Sequence, residues 1–187
     1  MIVAYKGFNK DLTCRGMKFH EGKWMKEPEA NCARNGFHCA ENPLDCLSYY
    51  ADWENSVYYM VLADGDIDED AGDSKIACTR IKLLKKLALD EFVQESIQYM
   101  ITHPSMEPNR IVRREEGEAD GLFVIVRGKD PVARGKKGSV LGFAKEAAGG
   151  KEIREAAVFM VDGKNIMPDV WYRADGQKEW RDRHGKK

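Results

Sequence analysis

The sequence lacks any long hydrophobic run. No segment of the 187 residues approaches the ~20 consecutive apolar residues that a membrane-spanning helix needs. The N-terminal stretch MIVAYKGFNK also lacks the apolar core of a secretory signal peptide. We therefore expect a protein of the cytoplasm with no membrane partner.

The chain also lacks a large net charge. Its 30 basic and 31 acidic residues give a formal net charge of −1, so no overall basic field favours nucleic acid as a partner. Hydrophobic residues make up 43% of the chain, which is too many for general disorder. The composition therefore predicts a folded protein for which a nucleic-acid partner is not expected.

Closely spaced cysteine pairs are absent. Structural zinc sites commonly place two ligands within one C-x(2–4)-C turn. Here Cys32, Cys39 and Cys46 are spaced seven residues apart, and Cys78 is remote from them. We expect free thiols in a reducing compartment and no bound metal.

Two other site motifs are incomplete. In the acidic loop DGDIDEDAGDSK, Asp64, Asp66 and Asp68 have the first three spacings of an EF-hand. However, Glu69 occupies the position of the glycine and Lys75 that of the closing glutamate, which argues against calcium. A phosphate-binding loop is missing too, because GKKGS lacks the Walker spacing and no G-x-G-x-x-G occurs.

The stretch NGFHCAENPLDCLSYY, at residues 35–50, has the pattern of a strand that leads into a helix. Asn42 is a good N-cap, Pro43 is tolerated at the first helical position, and Asp45 carries negative charge where the helix dipole favours it. A second helix is predicted over LDEFVQESIQYMITH, where apolar residues recur at helical spacing.

These patterns predict an α+β fold, with a mixed or antiparallel sheet, two main helices and a β-rich C-terminal portion. We expect an N-terminal α+β domain over 1–103 and a linker or charged loop over 104–116. A β-rich portion follows over 117–180, packed on the first domain, and residues 181–187 form a disordered tail.

Two stretches resemble an uncharacterised domain family that is common in phage and prophage genomes. YKGFNKDLTCRG, at residues 5–16, is similar to its opening motif, and GFHCAENPLDCLSYY, at residues 36–50, is similar to its GFHAC-NPLDVL-YY corner. The resemblance implies phage origin and an accessory role in the host cytoplasm, but no activity. The glycine, alanine and serine repeats of many members are missing here.

The first functional hypothesis is therefore a phage accessory protein that binds a host protein, such as a counter-defence inhibitor, without a cofactor. Such a protein needs exposed aromatic anchors on a rigid scaffold. The candidate anchors are Tyr49, Tyr50, Trp53, Trp171 and Tyr172.

The alternative is an enzyme that uses NAD. The order of strand, GFH, capped helix and strand loosely resembles ADP-ribosyltransferases. This resemblance implies that Tyr5 belongs to a first nicotinamide-side motif and that His38 lines the pocket. It also implies that Glu116 or Glu118 acts as the Glu-x-Glu motif, although EGE tripeptides are mostly solvated surface.

Overall fold

The computed structural model describes residues 1–32, 34–69 and 73–180. The chain divides into two compact units, Met1–Ala88 and Leu89–Lys187. The predicted boundaries, with a first domain that ends at residue 103, stay predictions, because a compact unit need not be a domain that folds by itself. The expected disordered tail lies outside the described residues.

The first unit is built on an antiparallel sheet that closes on itself. The sheet order is β4-β7-β5-β1-β6, and β6 also pairs with β7, so that four strands form a ring. The strands β2 and β3 make a separate short hairpin. The elements are β1 (Ile2–Asn9), β2 (Thr13–Cys14), β3 (Met17–Lys18), β4 (Trp24–Lys26), β5 (Phe37–Ala40), a 3₁₀ helix (Pro43–Ser48), β6 (Ser56–Glu69) and β7 (Lys75–Lys86).

Aromatic rings hold the interior of this sheet together. The ring centroids of Phe8 and Phe19 lie 4.9 Å apart, and Phe8 meets Tyr59 edge-on at 5.8 Å. Phe37 meets Phe19 edge-on at 5.7 Å. Such pairs contribute roughly 0.5–1.5 kcal/mol each beyond their burial. The aromatic cluster therefore joins β1, β5 and β6 to the chain segment after β3.

The corner after β5 confirms the predicted cap. The Asn42 side chain accepts a hydrogen bond from the Leu44 N–H at 3.1 Å, and Pro43 follows the cap directly. The helix is a six-residue 3₁₀ segment, since the chain turns away after Ser48. Leu44 and Cys46 are buried, so the corner is fixed by packing as well as by the cap.

The second unit is a five-stranded sheet with one α-helix against it. Its path is β11-β10-β9-β12, and β8 pairs with β9. Both the β8–β9 and the β9–β10 pairs are parallel. The elements are α1 (Leu89–Thr102), β8 (Arg113–Ala119), β9 (Phe123–Gly135), β10 (Val140–Glu146), β11 (Ile153–Met160) and β12 (Tyr172–Arg173).

The helix α1 packs closely because β10 has a glycine beneath it. A Cβ atom added at Gly142 would lie 2.7 Å from Val93 Cγ1 and 3.1 Å from Ile97 Cδ1. Phe92, Val93 and Ile97 are all buried on this face of the helix. Within the described residues, no helix is long and apolar enough to span a membrane.

The predicted α+β class with two main helices is wrong. The chain is mostly β, with 49% of its residues in strands and 11% in helices. The described part of the chain contains one α-helix, α1, and one 3₁₀ helix. The first expected helix, a six-residue 3₁₀ segment, is too short to count as a main element.

A buried arginine links β9 to two loops in the second unit. The Arg127 side chain is 1% exposed, and its Nε donates to Glu146 Oε1 at 2.7 Å. Its Nη2 donates to the carbonyls of Pro104 and Lys151, at 2.8 Å each. Burial would raise the pKa of Glu146, but the hydrogen bonds and charges of Arg127 and Arg114 outweigh burial and lower it.

Replacement of Glu146 by leucine should destabilise the protein by about 3–5 kcal/mol, because it leaves the Arg127 charge buried without a carboxylate. Glu155→Gln is the matched control, since Glu155 meets Lys145 at 3.8 Å on the surface and its loss should cost less than ~1 kcal/mol. Urea denaturation measures both. Equal stabilities of the two variants would refute the structural role of the buried pair.

Candidate functional site

The sheet of the first unit opens between β1 and β5. β1 pairs with β6 at all eight positions from Ile2 to Asn9, but it pairs with β5 only at Tyr5 and Ala40. Beyond that pair the two strands separate. A cavity of about 410 Å³ lies at this opening, and both strands contribute to its wall.

The cavity wall combines several kinds of side chain. Aromatic rings and thiols alternate with one imidazole and five charged groups. These charged groups are Lys6, Arg15, Glu27, Asp45 and Lys75. Its volume lies in the range of about 300–1,000 Å³ that small-molecule sites occupy. In size and composition the cavity therefore suits a small polar molecule.

The peptide groups of Gly7 face the opening. The Tyr58 carbonyl, opposite Gly7 in the ladder, accepts from the Leu87 N–H at 2.9 Å and so points away from β1. Because antiparallel pairs alternate, the N–H and C=O of Gly7 then point away from β6.

The Lys6 ammonium is buried at the cavity wall. Lys6 is 6% exposed, and its Nζ donates to the His38 carbonyl at 2.7 Å and to Cys14 Sγ at 3.5 Å. The ammonium also lies 5.3 Å from the ring centroid of Phe8 and 5.5 Å from that of Phe19. No carboxylate of the described residues forms an ion pair with it. A buried cation without a counter-ion is costly and marks a candidate functional group.

The His38 ring is neutral at pH 7. Burial lowers its pKa below the ordinary 6.5, and the charge of Lys6 lowers it further. Nε2 lies 3.1 Å from the Cys32 carbonyl, which can only accept, so the proton resides on Nε2. His38 is thus available as a neutral imidazole on the cavity wall.

The Tyr50 phenol and the Cys39 and Cys46 thiols are held in their neutral forms. Burial raises the pKa of Tyr50, and its hydrogen bond with Cys14 acts in the same direction. Burial likewise raises the pKa of Cys46 to about 12. A hydrogen bond with Cys78 and burial raise the pKa of Cys39. Tyr50, Cys46 and Cys39 therefore contribute shape and polarity, not nucleophilic anions.

Four of the residues predicted from the sequence meet at this cavity. Tyr5 and His38, proposed for the enzyme hypothesis, both line it, and so do Tyr49 and Tyr50, proposed as binding anchors. Tyr49 is 59% exposed, whereas Trp53 stacks on Tyr58 with ring centroids 4.5 Å apart. The two hypotheses therefore identify the same part of the first unit.

The remaining predicted residues belong to the second unit. Glu116 and Glu118 lie on β8, and the Glu118 carboxylate accepts from Arg134 Nη2 at 2.6 Å. The Arg134 guanidinium also lies 5.0 Å from the ring centroid of Trp171. Tyr172 is buried, and its hydroxyl accepts from the Met167 N–H at 2.8 Å. Tyr172 is thus a core residue and not an exposed anchor.

Sequence reasoning missed Lys6, the most buried charge of the cavity. A signal for it exists, because Ala4, Lys6 and Phe8 alternate on one face of β1 and their neighbours on that face are apolar. It also missed Arg15 and Glu27, whose place on the cavity depends on long-range pairing that no local pattern reveals.

Residues 2–95 match the family model of a domain of unknown function (DUF7666). The match covers half of the chain and every residue of the cavity wall, and the protein belongs to this family. No curated protein and no solved structure matches the chain. Over the described residues, no group of three His, Cys, Asp or Glu side chains is placed to hold a metal ion.

Replacement of Gly7 by alanine should destabilise the first unit by about 1–3 kcal/mol, the usual cost of overpacking. The added Cβ would lie 2.7–2.9 Å from Tyr50 Cδ2, Cγ and Cβ, so the ring must move. Gly150→Ala is the control, because its nearest new contact is at 3.9 Å. Thermal unfolding measures both, and an unchanged melting temperature for Gly7→Ala would contradict this packing.

Because His38 is neutral in the folded protein, the free energy of unfolding should decrease in mild acid. Because its folded pKa lies below the unfolded 6.5, the unfolded state takes up the proton first, and stability falls as pH drops through 6.5. His38→Asn should lose less stability between pH 7.5 and 5.5 than the wild type. The exposed His20 provides the control variant His20→Gln. Parallel pH curves for wild type and His38→Asn would rule this out.

Proposed function

We propose that the DUF7666 region binds a small molecule in the cavity between β1 and β5. The buried Lys6 ammonium on the cavity wall, without a carboxylate partner among the described residues, is the observation that carries this proposal. A ligand with a hydrogen-bond acceptor would supply the missing negative charge or dipole. The charge-assisted bond would then offset part of the cost of burying the cation.

The shape of the wall favours a planar group on the ligand. Gly7 has no side chain and lies directly against the Tyr50 ring, and the peptide groups of Gly7 face the opening. A flat ring with an amide can stack on a phenol and pair with strand peptides at the same time. The nicotinamide of NAD has this form, and Tyr5 and His38, which the transferase alternative implicates, line the same cavity. NAD is therefore the first ligand to test.

The setting that we propose is a phage or prophage accessory protein in the cytoplasm of a bacterial host. A host protein remains the other proposed partner, with counter-defence inhibition as its purpose. Tyr49, which is 59% exposed and borders the cavity, supports this second candidate. A host protein that docks there would cover the cavity, so NAD should compete with it.

Isothermal titration of the full chain with NAD, nicotinamide and ADP-ribose tests the proposal. We expect saturable binding of NAD, and Lys6→Met should weaken it at least tenfold, since a charge-assisted hydrogen bond contributes about 1.5–3 kcal/mol. Lys145→Met, which removes a surface lysine of the second unit, is the matched control. Absence of binding by all three ligands would sink the NAD proposal.

Release of nicotinamide from NAD distinguishes a binding domain from a transferase. Under the transferase alternative, NAD incubated with the protein should release nicotinamide. Binding without release of nicotinamide would leave the domain as a sensor or carrier.

A further inference from the structure

Two charged side chains of the cavity have no partner of their own. Neither the Arg15 guanidinium nor the Glu27 carboxylate forms a hydrogen bond or ion pair with a described residue, although both side chains line the cavity. By contrast, Asp45 accepts from the Ser74 hydroxyl at 2.6 Å. Lys75 donates to the Tyr49 hydroxyl at 3.3 Å. Besides Lys6, the cavity therefore offers the exposed Arg15 and the half-buried Glu27 as charged groups that a ligand can contact.

Arg15 occupies its position at a conformational cost. It follows β2 with φ of +49°, and Gly16 follows with φ of +79°, as the tight turn before β3 requires. Such turns prefer asparagine, aspartate or glycine, because a longer side chain in left-handed backbone costs on the order of 1–2 kcal/mol. A strained arginine at a cavity is a candidate functional residue.

The charge of Arg15 reaches the cavity interior. It lowers the pKa of both His38 and Tyr50, although burial dominates each shift and raises that of Tyr50. Arg15 lines the same cavity as the imidazole on β5 and the ring beside Gly7. An anionic group of a ligand that stacks on Tyr50 would lie within reach of this cation.

We propose that the cavity ligand is a nucleoside phosphate, free or as one half of a dinucleotide. The base stacks on the Tyr50 ring, a phosphate accepts from Arg15, and the ribose hydroxyls donate to the Glu27 carboxylate. An anion alone would leave Glu27 unpaired and repelled, whereas a sugar phosphate uses both charges. This inference rests on the proposed small-molecule function and names the class of that molecule.

Arg15→Asn separates the phosphate role from folding. Asparagine suits the left-handed turn, so the variant should be at least as stable as the wild type, and only the guanidinium is lost. We expect the affinity for nicotinamide mononucleotide or AMP to fall at least tenfold. The affinity for nicotinamide riboside or adenosine should stay within twofold. Arg34→Asn, at an exposed position outside the cavity, is the control.

Glu27→Ala tests the hydroxyl contact in the same titrations. It should weaken binding of adenosine severalfold and leave 2′,3′-dideoxyadenosine unaffected, because the latter lacks the donors. The contrary result is that the wild type binds nucleotide and nucleoside equally well, with no change in Arg15→Asn. That result would overturn the assignment of a nucleoside phosphate, while the small-molecule function would stand. No binding of any nucleoside or nucleotide would overturn this inference, and continued binding of nicotinamide alone would still support the proposed function.

Discussion

The hydrogen bond from the Lys6 ammonium to the His38 carbonyl joins β1 to β5 at the point where their backbone pairing has stopped. In a continued ladder a peptide N–H would hold that carbonyl. Because the Lys6 side chain bonds this carbonyl instead, β1 and β5 stay linked without direct backbone pairing. The space between the two strands forms the cavity. The ammonium also lies near the rings of Phe8 and Phe19, on the same cavity wall.

The buried cations of the two units differ in their hydrogen-bond and ion-pair partners. In the second unit Arg127 has a carboxylate, Glu146, and two backbone carbonyls, so its charge is compensated and its role is structural. In the first unit Lys6 has a carbonyl, a thiol and two rings, and the described residues offer it no carboxylate. This contrast separates a charge that holds loops together from the charge on which the proposed ligand site rests.

Local patterns predicted the local features well. The Asn42 cap and the helix over Leu89–Thr102 both follow from residue order within a few turns. The first main helix was wrong, because the chain after Asn42 forms only a six-residue 3₁₀ segment before β6, which pairs with both β1 and β7. That pairing is tertiary information, and periodicity over a dozen residues does not contain it.

The candidate site was predictable only in part, for the same reason. Tyr5, His38, Tyr49 and Tyr50 were found from motifs, but the two hypotheses that named them did not place them together. Arg15 lies in the turn between β2 and β3 and Glu27 follows β4, and only the tertiary fold brings these two segments to one cavity. Glu116 and Glu118 were predicted from the tripeptide EGE alone, and their place on the charged surface of β8 accounts for that tripeptide equally well.

The closed sheet has a consequence for what can enter it. Where β1 and β5 part, each presents a short length of strand edge to the other, and the ring of four strands encloses both. Exposed edges elsewhere invite pairing with a second chain and aggregation. Here the two edges face each other across the opening and not outward, so the fold does not present them as a free sheet edge to a second chain.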